Sequence, residues 1–148
     1  MRAKVIVQIV VMASLLVGGP ALAKPDTCPK PDKKATPDQV FAARLLAMQQ
    51  GDIEAIACSY DQDAVVVFPG SVIRGREAIM QAFLAFAGAL GGTPPTITST
   101  TEADDTLLVT YEVITPTLSI PDGADAFVIR DGRIQYQLVH GTIVFNQP

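Results

Sequence analysis

Tryptophan is absent, histidine occurs once, cysteine twice, and aromatic residues make up only 6% of the 148-residue chain. One imidazole, His140, and two thiols are too few to build a soft-metal centre, so no metal site is expected. The acids Asp61, Asp63, Asp104, Asp105 and Asp131 sit in turn contexts, and their spacing matches no calcium loop. There is no G-x-S-x-G, no H-E-x-x-H, no phosphate loop and no dinucleotide fingerprint, so no cofactor is expected either. Basic residues are scarce as well: 11 Lys and Arg face 15 Asp and Glu, a net charge of −4. Such a chain repels phosphate backbones, and without a basic stripe nucleic acid is not an expected partner.

The one long apolar run lies at the start. Arg2 and Lys4 precede Val5 to Val17, then Gly18-Gly19-Pro20 and Ala21-Leu22-Ala23. This is the three-part pattern of a secretory signal peptide over residues 1–23, too short to span a bilayer comfortably as an anchor. The expectation is export, to a periplasm or the exterior, with no membrane attachment after cleavage. The remaining residues, 24–148, would carry a net charge of −6, because Arg2 and Lys4 leave with the signal. Export delivers Cys28 and Cys58 to an oxidising compartment, where one disulfide is expected to tether the Pro- and Lys-rich leader, 24–36. Closing that loop stabilises by about 3 kcal/mol on the chain-entropy view. A lone reactive thiol is the alternative, although no basic partner lies nearby in sequence.

From residue 37 onward the pattern predicts one domain, 37–148. Thr36-Pro37-Asp38-Gln39 reads as N-cap, N1 proline and a capping-box Gln, which starts a helix that Gly51 stops. Asp52 caps a second helix carrying Ile53, Ile56, Ala57 and Tyr60. A strand follows from Ala64 to Phe68, then a third helix after Gly75 with Ile79, Phe83, Phe86 and Leu90 on one stripe. The rest reads as strand: Thr96 to Thr101, Thr106 to Thr115, an irregular excursion from Pro116 to Gly123, and a long hairpin turning at Asp131-Gly132. Helices followed by a run of strands give an α+β domain, with three N-terminal helices packed on a strongly curved, mainly antiparallel sheet.

Several side chains stand out against this frame. Asp125 alternates with Phe127 and Ile129, so a carboxylate lies in line with core-type residues and must be paired or have its pKa raised. Arg44 lies four residues from both Val40 and Met48, on the core side of the first helix, and a guanidinium there needs a partner. Tyr60 and Tyr111 are the candidate polar handles, Tyr111 because it alternates with Leu107, Val109 and Val113. For each tyrosine a core residue bonded to a backbone carbonyl is the alternative. Glu112 points the other way, to solvent, and His140 faces outward by the same parity.

The residues Gly51-Asp52-Ile53-Glu54-Ala55-Ile56, Tyr60-Asp61-Gln62-Asp63-Ala64, Gly75-Arg76-Glu77-Ala78-Ile79, Asp125-x-Phe127 and Asp131-Gly132-Arg133-Ile134 resemble the nuclear-transport-factor-2-like (NTF2-like) superfamily. Within it they resemble the SnoaL-like and ketosteroid-isomerase-like proteins. The resemblance covers Pro37 to Ile143 and implies a cone-shaped fold, specific for architecture and poor for activity. It places the isomerase general base on Phe68, which cannot take a proton. It places an oxyanion-binding tyrosine on Arg44, a protonated acid on Asp125 and a pocket tyrosine on Tyr60. The closing strand would turn Gln135, Gln137 and Val139 inward, with no acid where epoxide hydrolases of this fold carry one.

These carry-overs bring Arg44 and Asp125 together, as a structural salt bridge or as a clamp on a ligand oxygen. Paired with Arg44, Asp125 is expected to have a lowered pKa. The expected partner is a small, largely apolar molecule bearing a carbonyl or carboxylate, in a pocket lined by Phe68, Phe127, Gln137 and Val139. A cofactor-independent isomerase, cyclase or lyase using Asp125, Arg44, Tyr60 and Tyr111 is one reading. A non-catalytic ligand-binding or dimerisation module is the other, with a homodimer implied only by the resemblance, through the outer face of the sheet.

Overall fold

The computed structural model describes residues 27–146. The signal-type segment and the first three residues of the leader lie outside them.

The first helix, α1, spans Pro37–Gln50 and begins on the capping box: Thr36 Oγ1 accepts from Gln39 N at 3.3 Å, and Gln39 Oε1 accepts from Thr36 N at 2.9 Å. Gly51, at φ 68°, closes it in the left-handed conformation. Helix α2, Ile53–Cys58, starts on Asp52, whose carboxylate accepts from Ala55 N at 2.9 Å. It is shorter than the sequence pattern predicts. Ser59 caps it by donating its hydroxyl to Ile56 O at 2.6 Å, so Tyr60 opens the first strand instead of closing the helix.

Strand β1 is Tyr60–Phe68, and Pro69-Gly70 turns it into a second strand, β2, Ser71–Arg74, which the sequence reading did not include. Helix α3 spans Arg76–Ala89, followed by β3 (Thr96–Ala103), β4 (Thr106–Ile114), β5 (Leu118–Arg130), β6 (Arg133–His140) and β7 (Val144–Phe145). The expected excursion around Pro116 to Gly123 is, from Leu118 on, the first half of the long strand β5. Pro121 is accommodated because the β4–β5 pairing slips there: Tyr111 faces Gly123 and Val113 faces Ile120, so Pro121 and Asp122 bulge out opposite Glu112. Asp122 then holds the chain end, accepting from Thr142 N and Oγ1 at 2.6 and 2.8 Å.

The sheet has seven strands in the order β2-β1-β6-β5-β4-β3, with β7 on β5. All pairings are antiparallel except β1 with β6, which run parallel across the crossover that contains α3. Helices pack on one face of this curved mixed sheet. Register sets which side chains meet them: Val66, Gln137, Phe127 and Leu107 are successive neighbours across β1, β6, β5 and β4. Phe41 from α1 meets Phe127 with ring centroids 5.5 Å apart, and Ile79 from α3 is buried in the same core. Phe127, Leu107 and Ile134 are completely buried, and each such side chain stabilises the fold by about 1.5–3 kcal/mol. The opposite face carries Leu108, Ala126 and Leu138 side by side, with Leu108 and Leu138 exposed.

The leader is fastened at one end of the cone. Cys28 and Cys58 lie at disulfide distance, their Cα atoms 5.4 Å apart and 30 residues apart in sequence. Arg133 donates to Pro29 O, and Arg76 reaches Cys28 Sγ at 3.2 Å. The β5–β6 turn, Asp131 at φ 51° and Gly132 at φ 72°, tucks beneath this segment. A Cβ on Gly132 would collide with the carbonyl of Asp32, so glycine is required there by space as well as by conformation. Among the described residues no helix is long and apolar enough to cross a membrane.

Candidate functional site

Four strands and one helix bring the candidate polar residues to the inner face. Arg44 comes from α1, Tyr60 from the first position of β1, Tyr111 from β4, Asp125 from β5 and Gln137 from β6. Arg44 is only 4% exposed although it carries a charge. Its guanidinium carbon lies 5.0 Å from the centroid of Phe83 and 5.6 Å from those of Tyr60 and Phe127, a three-ring cage. Each ring face attracts the cation by about 0.5–2 kcal/mol, more where water is excluded. Nη1 touches Met48 Sδ at 3.2 Å, and Nε has no hydrogen-bond partner at all.

The expected Arg44–Asp125 salt bridge does not form. Asp125 instead accepts from Gln137 Nε2 at 2.6 Å on one oxygen and from the Tyr111 hydroxyl at 3.2 Å on the other. Gln137 turns its carbonyl to the Tyr60 hydroxyl in a short hydrogen bond. A continuous chain therefore runs Tyr60, Gln137, Asp125, Tyr111, with Arg44 beside its Tyr60 end. Neither tyrosine hydroxyl spends itself on a backbone carbonyl.

The electrostatics follow from this separation. Burial pushes the Asp125 carboxyl up to about 6, only partly opposed by the Arg44 charge and the bonds from Gln137 and Tyr111. The expected lowering is thereby reversed, because amide and phenol dipoles occupy the place where the guanidinium was expected. Burial likewise pushes Tyr60 up to about 12, against the nearby Arg44 charge. Tyr111 moves the same way, from burial and then from the Asp125 charge.

The other sequence candidates are placed as follows. Phe127 is fully buried beside the chain, Val139 faces Asp125 across the β5–β6 register, and Phe68 packs on the core. Glu112 and His140 are exposed, as their strand parity requires. Sequence pattern places Gln137 only in the wall of a pocket. Its bridging role was missed because an amide's partners depend on three strands meeting. Two depressions of about 400 and 290 Å³ flank the leader, and neither is walled by Asp125 or Tyr111. The smaller one reaches the constellation at Arg44, between Asp32 and Ala35 of the leader, Gln39 and Ala43 of α1, and Gly132. Among the described residues no group of His, Cys, Asp and Glu is arranged to hold a metal ion.

Helices on a curved sheet with inward polar residues match a known family: the sequence profile of the SnoaL-like domain covers residues 41–137. The chain belongs to the SnoaL-like family. Among solved structures, this SnoaL-like protein is similar to an NTF2-like protein of unknown function from Burkholderia xenovorans. They share 18% identity at a TM-score of 0.62, over 75% of this chain and 86% of that one. A polyketide cyclase candidate from Sinorhizobium meliloti matches at 25% identity and a TM-score of 0.62, over 70% of this chain and 94% of that one. An epoxide hydrolase-like protein of Mycobacterium tuberculosis matches at 21% identity and a TM-score of 0.58, over 69% and 79%. No curated protein matches the sequence.

Proposed function

We propose that this SnoaL-like protein binds a small, largely apolar molecule bearing a carbonyl or carboxylate, and that Arg44 anchors its oxygen. One observation carries the reading: a buried guanidinium whose Nε has no partner, while Asp125 is bonded to Gln137 and Tyr111 instead. A buried cation without a contacting anion is costly, and a ligand oxygen at Nε would relieve that cost. Phe83, Phe127 and Tyr60 supply apolar surface beside it. A neighbouring structure of this fold, TerC, was co-crystallised with polyporic acid, which supports an acidic or carbonyl-bearing ligand class.

Asp125 is the group suited to proton transfer, since a carboxyl near 6 gains and loses a proton at ordinary pH. This supports a cofactor-independent isomerase, cyclase or lyase. The second reading is a non-catalytic binding module, favoured by Phe68, which puts a phenyl ring where a base would be needed. Export of the chain, with the leader pinned by Cys28–Cys58, is part of the same proposal. So is pairing of two copies through the outer sheet face, where Val72, Leu108, Tyr136 and Leu138 are exposed.

Native mass spectrometry of the protein purified from its own compartment tests the reading. A retained small acid or ketone is expected in the parent protein and is lost in Arg44→Met, which keeps the stem packed without the charge. Retention of the same molecule by Arg44→Met would reject Arg44 as the anchor.

A further inference from the structure

The hydrogen-bond chain has a direction, and that direction has a chemical consequence. Gln137 cannot serve Asp125 as an acceptor while its carbonyl is engaged by Tyr60, so its Nε2 must donate to Asp125 Oδ2. If Asp125 takes a proton, Oδ1 gives up less than Oδ2, since its bond from Tyr111 is 3.2 Å long while Oδ2 holds the 2.6 Å bond from Gln137. A protonated Oδ1 would then donate to the Tyr111 hydroxyl oxygen, and the phenol must turn its own hydrogen elsewhere.

The ring itself has no freedom to answer. It lies flat over Gly123, so closely that a Cβ there would overlap three of its carbons. Rotation of the hydroxyl hydrogen is the available response.

We propose that an anion binding at Arg44 brings one proton with it onto Asp125 Oδ1, which turns that oxygen from an acceptor into a donor toward the Tyr111 hydroxyl. This rests on Arg44 being the ligand anchor and adds to it a rule for when the ligand is held. The fields that reach Asp125 are few. Arg44 on α1 is the facing cation, Tyr60 on β1 and Tyr111 on β4 are phenols, and β6 contributes the uncharged Gln137. On α3 the nearest contributor to the cage is Phe83, which carries no charge.

Arg44 opposes protonation of Asp125, and a negative ligand on Arg44 cancels that opposition, so the proton is bound more tightly when the anion is present. The sign follows: binding strengthens as pH falls, over the range between the free and the ligand-bound proton affinities. No other bond changes, and the proton comes from the buffer.

Titration calorimetry with benzoate, on the full protein in buffers of different ionisation enthalpy, reads both parts. Expected for the parent protein is a gain in affinity of up to about tenfold per pH unit between about pH 8 and about pH 6, with uptake approaching one proton per benzoate. Asp125→Asn presents an amide N–H to Tyr111 permanently, so it should bind benzoate with no proton uptake and a flat pH profile. Tyr111→Phe removes the hydroxyl to which the protonated Oδ1 would donate, so it should keep benzoate binding and lower the proton uptake. His140, an imidazole on the outer face near Asp122, is controlled by His140→Gln, which should leave the coupling in place.

Benzoate binding that depends on Arg44 but takes up no proton and ignores pH overturns the coupling and leaves the anchor standing. Proton uptake that persists in Asp125→Asn overturns the assignment to Asp125. No benzoate binding in the parent protein, or equal binding in Arg44→Met, overturns the anchor and the coupling together.

Discussion

Gln137 stands between Tyr60 and Asp125, accepting the phenol on its carbonyl and giving its amide hydrogen to the carboxylate. It is 2% exposed, so water cannot replace either bond if the amide is removed. This one side chain joins Tyr60 of β1 to Asp125 of β5.

Gln137→Leu should therefore destabilise by about 2–4 kcal/mol, because it leaves a buried hydroxyl and a buried carboxylate oxygen each short of a partner. Urea unfolding at neutral pH measures it. A loss below about 0.5 kcal/mol would mean that the chain is not formed.

The pH dependence of stability has a definite sign. Asp125 is raised in the folded protein, so its contribution is complete below the unfolded carboxyl range and is lost as pH climbs through about 6. About 3 kcal/mol should disappear between about pH 4 and about pH 7, and Asp125→Asn should flatten that decline. Asp105 and Asp122 are lowered by Arg130 and by Thr142 respectively, so their contributions vanish only at more acid pH and with the opposite slope. Stability that rises from about pH 4 to about pH 7 would refute the assignment.

Replacing Cys28 and Cys58 by serine should cost about 3 kcal/mol, for a loop of 30 residues. The same variant should show increased proteolysis near Pro29 to Asp32, since the covalent fastening would be gone and only non-covalent contacts such as that of Arg133 with Pro29 would hold the segment. Alkylation and mass measurement of the exported parent protein should find no free thiol. Two free thiols would end the tether.

Gly123→Ala should displace the Tyr111 ring and lengthen its bond to Asp125, with a loss of about 1–3 kcal/mol from overpacking. Thermal unfolding together with a shift in the tyrosine near-ultraviolet signal tests this. An unchanged signal and melting point would mean that the ring does not lie on the glycine.

On the outer face, Leu138→Lys should leave the fold intact and weaken self-association, because Leu138 is half exposed and packs against no helix. Light scattering across a concentration series reads the mass. A parent protein that stays monomeric at every concentration would remove the paired assembly.

Much of the architecture was legible in local chemistry. The capping box at Thr36 and Gln39, the stop at Gly51 and the Asp131-Gly132 turn each act within a few residues, so the sequence announces them directly. Strand parity was equally legible: Asp125, Phe127, Gln137 and Tyr111 all face inward as alternation requires. Elements whose form depends on distant pairing were harder to see. β2 exists because β1 pairs with it, and Pro121 stays in β5 because a bulge opposite Glu112 absorbs it. Tyr60 looked helical from its spacing, yet it starts a strand because its backbone pairs with Ile134, far along the chain.

The sequence by itself determined which polar side chains enter the interior, since that is a matter of period and register along single elements. Only the tertiary structure decided which of them touch. Arg44 and Asp125 attract one another at any distance, but the contact belongs to whichever groups the β1–β6 and β5–β6 registers bring nearest, and those registers bring Gln137 to both Tyr60 and Asp125. Charge complementarity proposes a pair, and backbone geometry disposes of it, because shifting a strand by a residue costs every other contact on its face.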